Sequence, residues 1–276
     1  MSNATAREVA AGWQARLELG FAPRLGRTAL LHRKQRGPLA VQRPFYPEGE
    51  TCHTYLLHPP GGVVGGDSLH IQCQVADGAH ALVTTPGATK FYRSAGARAE
   101  QKQSLQIAAG ARLEWLPQEN IFFPGAMTCL QTNIELSEGA RFIGWEVHCL
   151  GLPVNAEPFD SGQTEFQLII ERDDQPLLIE HLTVTADKLH AKAGLRGLPV
   201  NATLLATRAG ATELDQVREL LAETPGTGVT LIDDVLVVRY LGDSTERCRN
   251  LFIKIWAAIR TSVMGCPPCP PRIWST

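Results

Sequence analysis

The chain has 276 residues, 44% of them apolar and 20% charged, with a formal net charge of −2. Those proportions describe a soluble globular protein with room for one large domain or two modest ones. No run of Lys or Arg forms a basic stripe, which argues against nucleic acid as the main partner.

From the N-terminus, Met1 to Gly20 carries Arg7, Glu8, Arg16 and Glu18 with no unbroken apolar run, so no secretory signal is expected there. Seven cysteines without such a signal point to reduced thiols and a cytoplasmic protein. The block Leu57-His58-Pro59-Pro60-Gly61-Gly62-Val63-Val64-Gly65-Gly66-Asp67 then sets four glycines and two prolines into turns, with one carboxylate at its exit. Leu69, Ile71, Cys73 and Val75 alternate with His70, Gln72 and Gln74, the period-two pattern of a strand with one buried face.

A weak repeat follows. Segments 74–80, 106–112 and 135–141 each end a strand, turn at Gly-Ala and begin another, with Gly78, Gly110 and Gly139 spaced 32 and 29 residues apart. That period suits stacked β-layers or solenoid coils, with the glycine at a left-handed turn position. Further on, Phe166, Leu168 and Ile170 read as a strand that turns through Asp173-Asp174-Gln175-Pro176 into Leu177–Val184, a hairpin.

After Asn201 the texture changes to strand, helix, two strands, helix. Glu213–Glu223 reads as a helix with Thr212 at its N-cap and Leu214, Val217 and Leu221 on one face. Val229–Ile232 and Val235–Leu241 flank Asp233-Asp234 as a hairpin. A last helix starts near Asp243 or Ser244, where Asp243 and Glu246 have capping-box spacing; it buries Cys248, Phe252, Ile255 and Ile259 and stops at Gly265 and Pro267. Its apolar part, Leu251–Val263, holds Lys254 and Arg260 and is too short to cross a bilayer. The expected architecture is mainly β, stacked β-layers in a β-solenoid-like arrangement over residues 1–200. A smaller α+β portion with two helices, residues 201–276, packs on it, since no flexible linker separates them.

The strings Gly37-Pro38-Leu39, Val41–Gly49, His58–Gly62, Gly65-Gly66-Asp67, Thr85–Arg93 and Leu113–Glu119 occur in one order, followed by Gly144-Trp145-Glu146 and Pro271–Trp274. In that order they resemble the UreD (UreH) family of urease accessory proteins over nearly the whole chain. The resemblance implies a mostly β, non-enzymatic scaffold that binds UreF, recruits the GTPase UreG through UreF, and docks on apo-urease for nickel insertion. It also implies a two-fold assembly with UreF and no permanently bound cofactor, with Ni²⁺ passing through interior tunnels. The motif residues it brings forward are His58, Gly61, Gly62, Gly65, Gly66, Thr85, Pro86 and Lys90.

A protein that hands Ni²⁺ onward must hold it weakly, and scattered carboxylates suit that better than several imidazoles or thiolates. Asp67, Glu119, Glu146 and Glu180 are the candidate passage acids, since each stands in or just after an apolar or turn-rich segment. For any one of them, capping a turn is the plainer role. Cys52, His53 and His58 lack the three or four convergent ligands of a metal site. Cys266-Pro267-Pro268-Cys269 has no second CxxC and reads as a stiff proline-rich tail. The glycine block lacks the Gly-Lys-Ser/Thr of a phosphate loop, and Asp67 there would repel phosphate. Phe122, Phe123, Ile273 and Trp274 are candidate partner anchors, with Trp256 assigned to the core. The competing reading is a β-solenoid-like carbohydrate hydrolase or lyase working through Asp67, Glu119 and Glu146. The absent secretion signal and the few aromatics, four Tyr and five Trp, weigh against it.

Overall fold

A computed structural model describes residues 12–275. The first strands are β1 (Gln14–Arg24), β2 (Arg27–Arg36), β3 (Ala40–Val41) and β4 (Cys52–Leu57). Three coils follow. The first is β5 (Ser68–Val75) and β6 (His80–Thr84), then β7 (Thr89–Phe91); the second is β8 (Ala99–Ile107) and β9 (Arg112–Leu116), then β10 (Asn120–Phe122); the third is β11 (Met127–Leu136) and β12 (Arg141–Leu150). A hairpin, β13 (Gln163–Arg172) and β14 (Gln175–Thr185), leads through the single turn α1 (Ala186–Leu189) to β15 (Val200–Thr207), α2 (Ala211–Leu221), β16 (Thr227–Ile232), β17 (Val235–Gly242) and α3 (Thr245–Met264).

The coils stack in register, so two sheets face each other. One has seven strands in the order β14-β13-β11-β8-β5-β1-β2, parallel from β13 to β1 with a hairpin partner at each edge. The other has ten strands along β16-β17-β15-β12-β9-β6-β4-β3, with β10 and β7 branching from β12. The fold is mainly β and solenoid-like, as the repeat predicts. Residues after 200 extend the ten-stranded sheet through β15, β17 and β16, and α2 and α3 lie against its outer face.

The Gly-Ala repeat is the corner of each coil. Gly78, Gly110 and Gly139 have φ of 68°, 63° and 72°, the left-handed region that glycine enters without strain. The alanines that follow, Ala79, Ala111 and Ala140, are buried in the core. Corners bond to corners: Gly78 N–H donates to Ala109 O at 3.3 Å and Gly110 N–H to Glu138 O at 3.2 Å. At Gly110 a methyl group would meet nothing within 4 Å, so Gly110→Ala costs only the left-handed backbone, about 1–2 kcal/mol. Gly110→Asn should cost less, because Asn tolerates that region; urea unfolding of both variants checks the order.

Alternation along β12 explains the three layers. Phe142, Gly144, Glu146, His148 and Leu150 face the seven-stranded sheet, while Ile143, Trp145, Val147 and Cys149 face the helices. Two cores result, one between the sheets and one between the ten-stranded sheet and α2/α3.

Three local expectations are corrected. α2 begins at Ala211 behind Gly210 rather than behind Thr212, because Glu213 at its third position accepts the Gly210 N–H at 2.8 Å. α3 starts behind Ser244, one of the two expected positions, whose Oγ accepts from Arg247 N at 3.2 Å; the expected capping box is absent, because Asp243 pairs with the Arg247 guanidinium instead. The turn of the β13–β14 hairpin is only Asp173-Asp174, both at positive φ, and Gln175 and Pro176 already belong to β14.

Candidate functional site

Between the sheets lies a layer that stacking alone would fill with apolar side chains, yet it contains a track of polar ones. Gln103 Nε2 donates to Thr132 Oγ1 at 3.0 Å, and Thr132 Oγ1 donates to Glu146 Oε1 at 2.5 Å, crossing from one sheet to the other. Gln101, Gln103 and Thr132 are all buried. Beside them a cavity of about 330 Å³ runs from Leu69, Ile71 and Trp115 to a mouth formed by His58, Gly61, Gly62, Thr85, Pro86 and Lys90. On the far side of Glu146 is a second cavity of about 400 Å³, lined by His148, Glu180, His181, Thr203 and Arg239. Glu146 lines both cavities, and a small void between Trp115, Thr132 and Leu168 as well.

The glycine block builds the mouth. At Gly62 a methyl group would collide with the Tyr92 ring at 2.4 Å and the Lys90 carbonyl at 2.7 Å. Six of the eight motif residues line this mouth. Gly65 and Gly66 instead bring the loop against its neighbours: Gly65 packs on Ser94 and Ala97, and Gly66 N–H donates to Arg98 O at 2.9 Å. Burial lowers the His58 imidazole, opposed by the nearby Asp67 charge.

The four candidate acids separate. Glu146 lines both cavities. Glu180 lines the second cavity, but its carboxylate is held by Arg239, whose Nη1 donates at 2.8 Å to it and at 3.1 Å to Thr203 Oγ1. Asp67 serves the loop: Oδ1 accepts from Trp13 N at 2.8 Å and Oδ2 from Val64 N at 3.0 Å, so it ties β1 to the glycine block. Glu119 lines neither cavity; it sits close enough to Cys149 and Cys248 to help burial raise their thiols. Asp67 and Glu119 therefore line neither of the two cavities that Glu146 lines.

The expected partner anchors are also placed. Phe122 is no surface anchor: β10 carries it inward, stacked on Phe91 at 5.0 Å and edge-on to Phe166 at 5.3 Å. Phe123 is half-buried against Tyr92 at 4.7 Å. Ile273 and Trp274 are half-buried in the tail. Trp274 docks on its own chain, 5.7 Å from Trp145 and 5.4 Å from Trp256, with Nε1 donating to Thr84 Oγ1 at 3.3 Å. Trp256 is core.

One buried network was not foreseen. Glu114, wholly buried, accepts from Arg260 Nη2 at 2.9 Å, from His80 Nε2 at 2.8 Å and from Trp256 Nε1 at 2.6 Å. Arg260 also donates to Glu48 through both terminal nitrogens at 2.7 Å, and His53 Nε2 donates to Glu48 Oε1 at 2.6 Å. Burial pushes the Glu114 carboxyl up, but the bonds from His80 and Arg260 outweigh it and hold it at about 2. Two arginines at equivalent coil positions, Arg112 and Arg141, donate to the last carbonyls of α3 at Met264 and Val263. The signal was present in the sequence: Arg260 falls on the stripe of Phe252 and Trp256 at four-residue spacing, and Glu114 interrupts an apolar strand.

Among the described residues no three His, Cys, Asp or Glu side chains converge as metal ligands. All seven cysteines are free, and burial drives the Cys73 and Cys149 thiols up to about 12. Among the described residues no helix is long and apolar enough to cross a membrane.

Comparison with known proteins gives one answer. Residues 14–275 match the family model described as UreD urease accessory protein. The chain is 48% identical to the urease accessory protein UreD of Alcanivorax borkumensis, covering 100% of this chain and 96% of that one. It is 46% identical to that of Pseudomonas putida strain W619, over 96% and 95%, and 47% identical to that of Alkalilimnicola ehrlichii, over 99% and 94%. The chain belongs to the UreD family of urease accessory proteins.

Proposed function

We propose that this chain is a non-catalytic scaffold of the cytoplasm that supports nickel insertion into urease. With UreF, and through it the GTPase UreG, it docks on apo-urease in a two-fold assembly. Ni²⁺ is cargo and is bound only in transit. The reading rests on the family membership and on one structural observation, the carboxylate of Glu146 standing between two cavities in a layer that packing alone would make dry. The Glu146 side chain is half-buried, 16% exposed, so it keeps part of the cost of leaving water unless bonded or hydrated, and Thr132 satisfies only one of its oxygens by hydrogen bond. A cation route between the sheets uses the other. The ion would run from the mouth at His58 and Lys90 past Glu146 towards Glu180 and Arg239.

The assembly part of this reading is tested by co-purification. Tagged full-length chain, expressed with UreF and the urease subunits, is expected to bring down apo-urease only when UreF is present. Recovery of neither UreF nor urease would overturn it.

A further inference from the structure

We propose that the outer face of the seven-stranded sheet carries a binding site for a phosphate group, formed by Arg16, His70 and Lys102. It lies on the side of the sheet turned away from the cavities described above and does not depend on the passage reading.

Along the chain no run of Lys or Arg forms a basic stripe, but the strand register makes one. Arg36 on β2 pairs with Arg16 on β1, Arg16 with His70 on β5, and His70 with Lys102 on β8. Leu17, Ile71 and Gln103, the next residues along β1, β5 and β8, are buried on the other face. The four paired side chains therefore stand in one outward row, with Arg16, Arg36 and Lys102 exposed and His70 half-buried. Like charges directly opposite one another destabilise a sheet, so the row costs the fold stability that a bound anion would restore.

Elsewhere on this face the polar groups answer one another. Glu18 stands 2.8 Å from Arg16 Nε and 3.4 Å from His32 Nε2. Gln74 Nε2 donates to Gln106 Oε1 at 2.8 Å, and Gln106 Nε2 to Glu135 Oε2 at 2.8 Å. Arg98 Nη2 meets Glu165 Oε1 at 3.0 Å. Among the described residues no ion pair or hydrogen bond engages the Lys102 ammonium or the His70 ring.

A groove of about 230 Å³ lies over this part of the row, lined by Arg16, His70, Lys102, Ser104, Gln131 and Asn133 among others, and by no Asp or Glu. Arg16 is held in place there, with Nε against Glu18 and Nη2 donating to Gln72 Oε1 at 3.0 Å, while Nη1 stays free. Neighbouring strands stand about 4.8 Å apart, which sets the Arg16 and Lys102 backbones about 10 Å apart with the imidazole between them. Two long side chains at that spacing can close from either side on one anion above the His70 ring. Guanidinium, ammonium and imidazole N–H around one point match a phosphate group, whose several oxygens accept charge-assisted bonds from all three. A nucleic-acid strand would need the positive charge to continue across the face, and Glu135, Glu165 and Glu171 on β11 and β13 end it.

The test is binding of radiolabelled inorganic phosphate to the full chain by equilibrium dialysis, with ionic strength held constant by sodium chloride. Wild type should bind phosphate saturably. Lys102→Gln and Arg16→Gln should each weaken binding by about tenfold or more, the loss expected for one charge-assisted hydrogen bond. Both side chains are exposed, so both variants should keep the wild-type circular dichroism. Without phosphate, Lys102→Gln should unfold at or above the wild-type urea midpoint, because it removes a like charge from the row. Added phosphate should raise the midpoint of wild type more than that of Lys102→Gln. Glycerol phosphate that displaces the label assigns the site to phosphate esters as well, and failure to displace confines it to the free ion. No saturable binding by wild type, or equal binding by wild type and both variants, would overturn the site.

Discussion

Replacing Arg260 with alanine is expected to cost this fold about 3–5 kcal/mol, the usual penalty for removing one partner of a buried ion pair. The guanidinium is fully buried and answers two carboxylates at once, Glu114 and Glu48, besides the carbonyl of Pro267. Without it two acids face each other in the layer between the ten-stranded sheet and α3, with only His80, His53 and Trp256 to meet them. Against a total stability of about 5–15 kcal/mol, that loss is a third or more. Arg260→Lys keeps the charge but not the fork, and should lose less. Chemical unfolding followed by tryptophan fluorescence reads the effect, since Trp256 and Trp274 lie at the joint. An Arg260→Ala chain within about 1 kcal/mol of wild type would contradict the account of the network.

The same network sets an acid limit. The Glu114 carboxyl is depressed from 4.5 to about 2 in the fold. Its contribution is therefore complete above the unfolded value and is lost as the pH falls from about 4.5 towards 2. Wild type should lose stability over that window, and Glu114→Gln, already weaker at neutral pH, should show a flatter profile there.

The second large effect concerns nickel delivery. Glu146→Ala should lower urease activation by about tenfold or more while the complex still forms. Charges of one and two units about 4 Å apart attract by about 8 kcal/mol at an effective dielectric of about 20, before dehydration of the ion is counted. Losing a fifth of that slows a rate by roughly tenfold. Asp67→Ala should behave differently, although the sequence treats the two acids alike. Asp67 bonds two backbone N–H groups and lines neither cavity. Its loss should cost about 1–3 kcal/mol of stability and leave activation per folded complex unchanged. Urease activity normalised to recovered complex distinguishes them, and equal defects in both variants would contradict the placement of Glu146.

How far the sequence could be read follows from the range of each signal. The coil corners were legible because Gly-Ala at Gly78, Gly110 and Gly139 is a local backbone requirement repeated at the period of the fold. β5, the β13–β14 hairpin and α3 were legible from their alternation or their apolar stripe. Phe122 misled because Phe-Phe-Pro-Gly reads as a loop, whereas its first phenylalanine ends a three-residue strand that pairs with β7 and β12. Trp274 looked free for a partner because nothing near it in sequence tells of Trp145 and Trp256. The charge network was hidden for a similar reason: Glu48, Glu114 and Arg260 meet only through the stacking of distant coils and the docking of α3. Glu146 could be nominated as an acid in an apolar strand, but its position between two cavities follows from which sheet face β12 turns inward.

The claim at the centre of this account is that the chain is needed for nickel to reach urease. It is tested most directly by the nickel content of urease co-expressed with the other accessory proteins, with and without this chain. The account predicts that urease assembles in both cases and is nickel-poor when the chain is left out. Urease with the same nickel content in both preparations would contradict it.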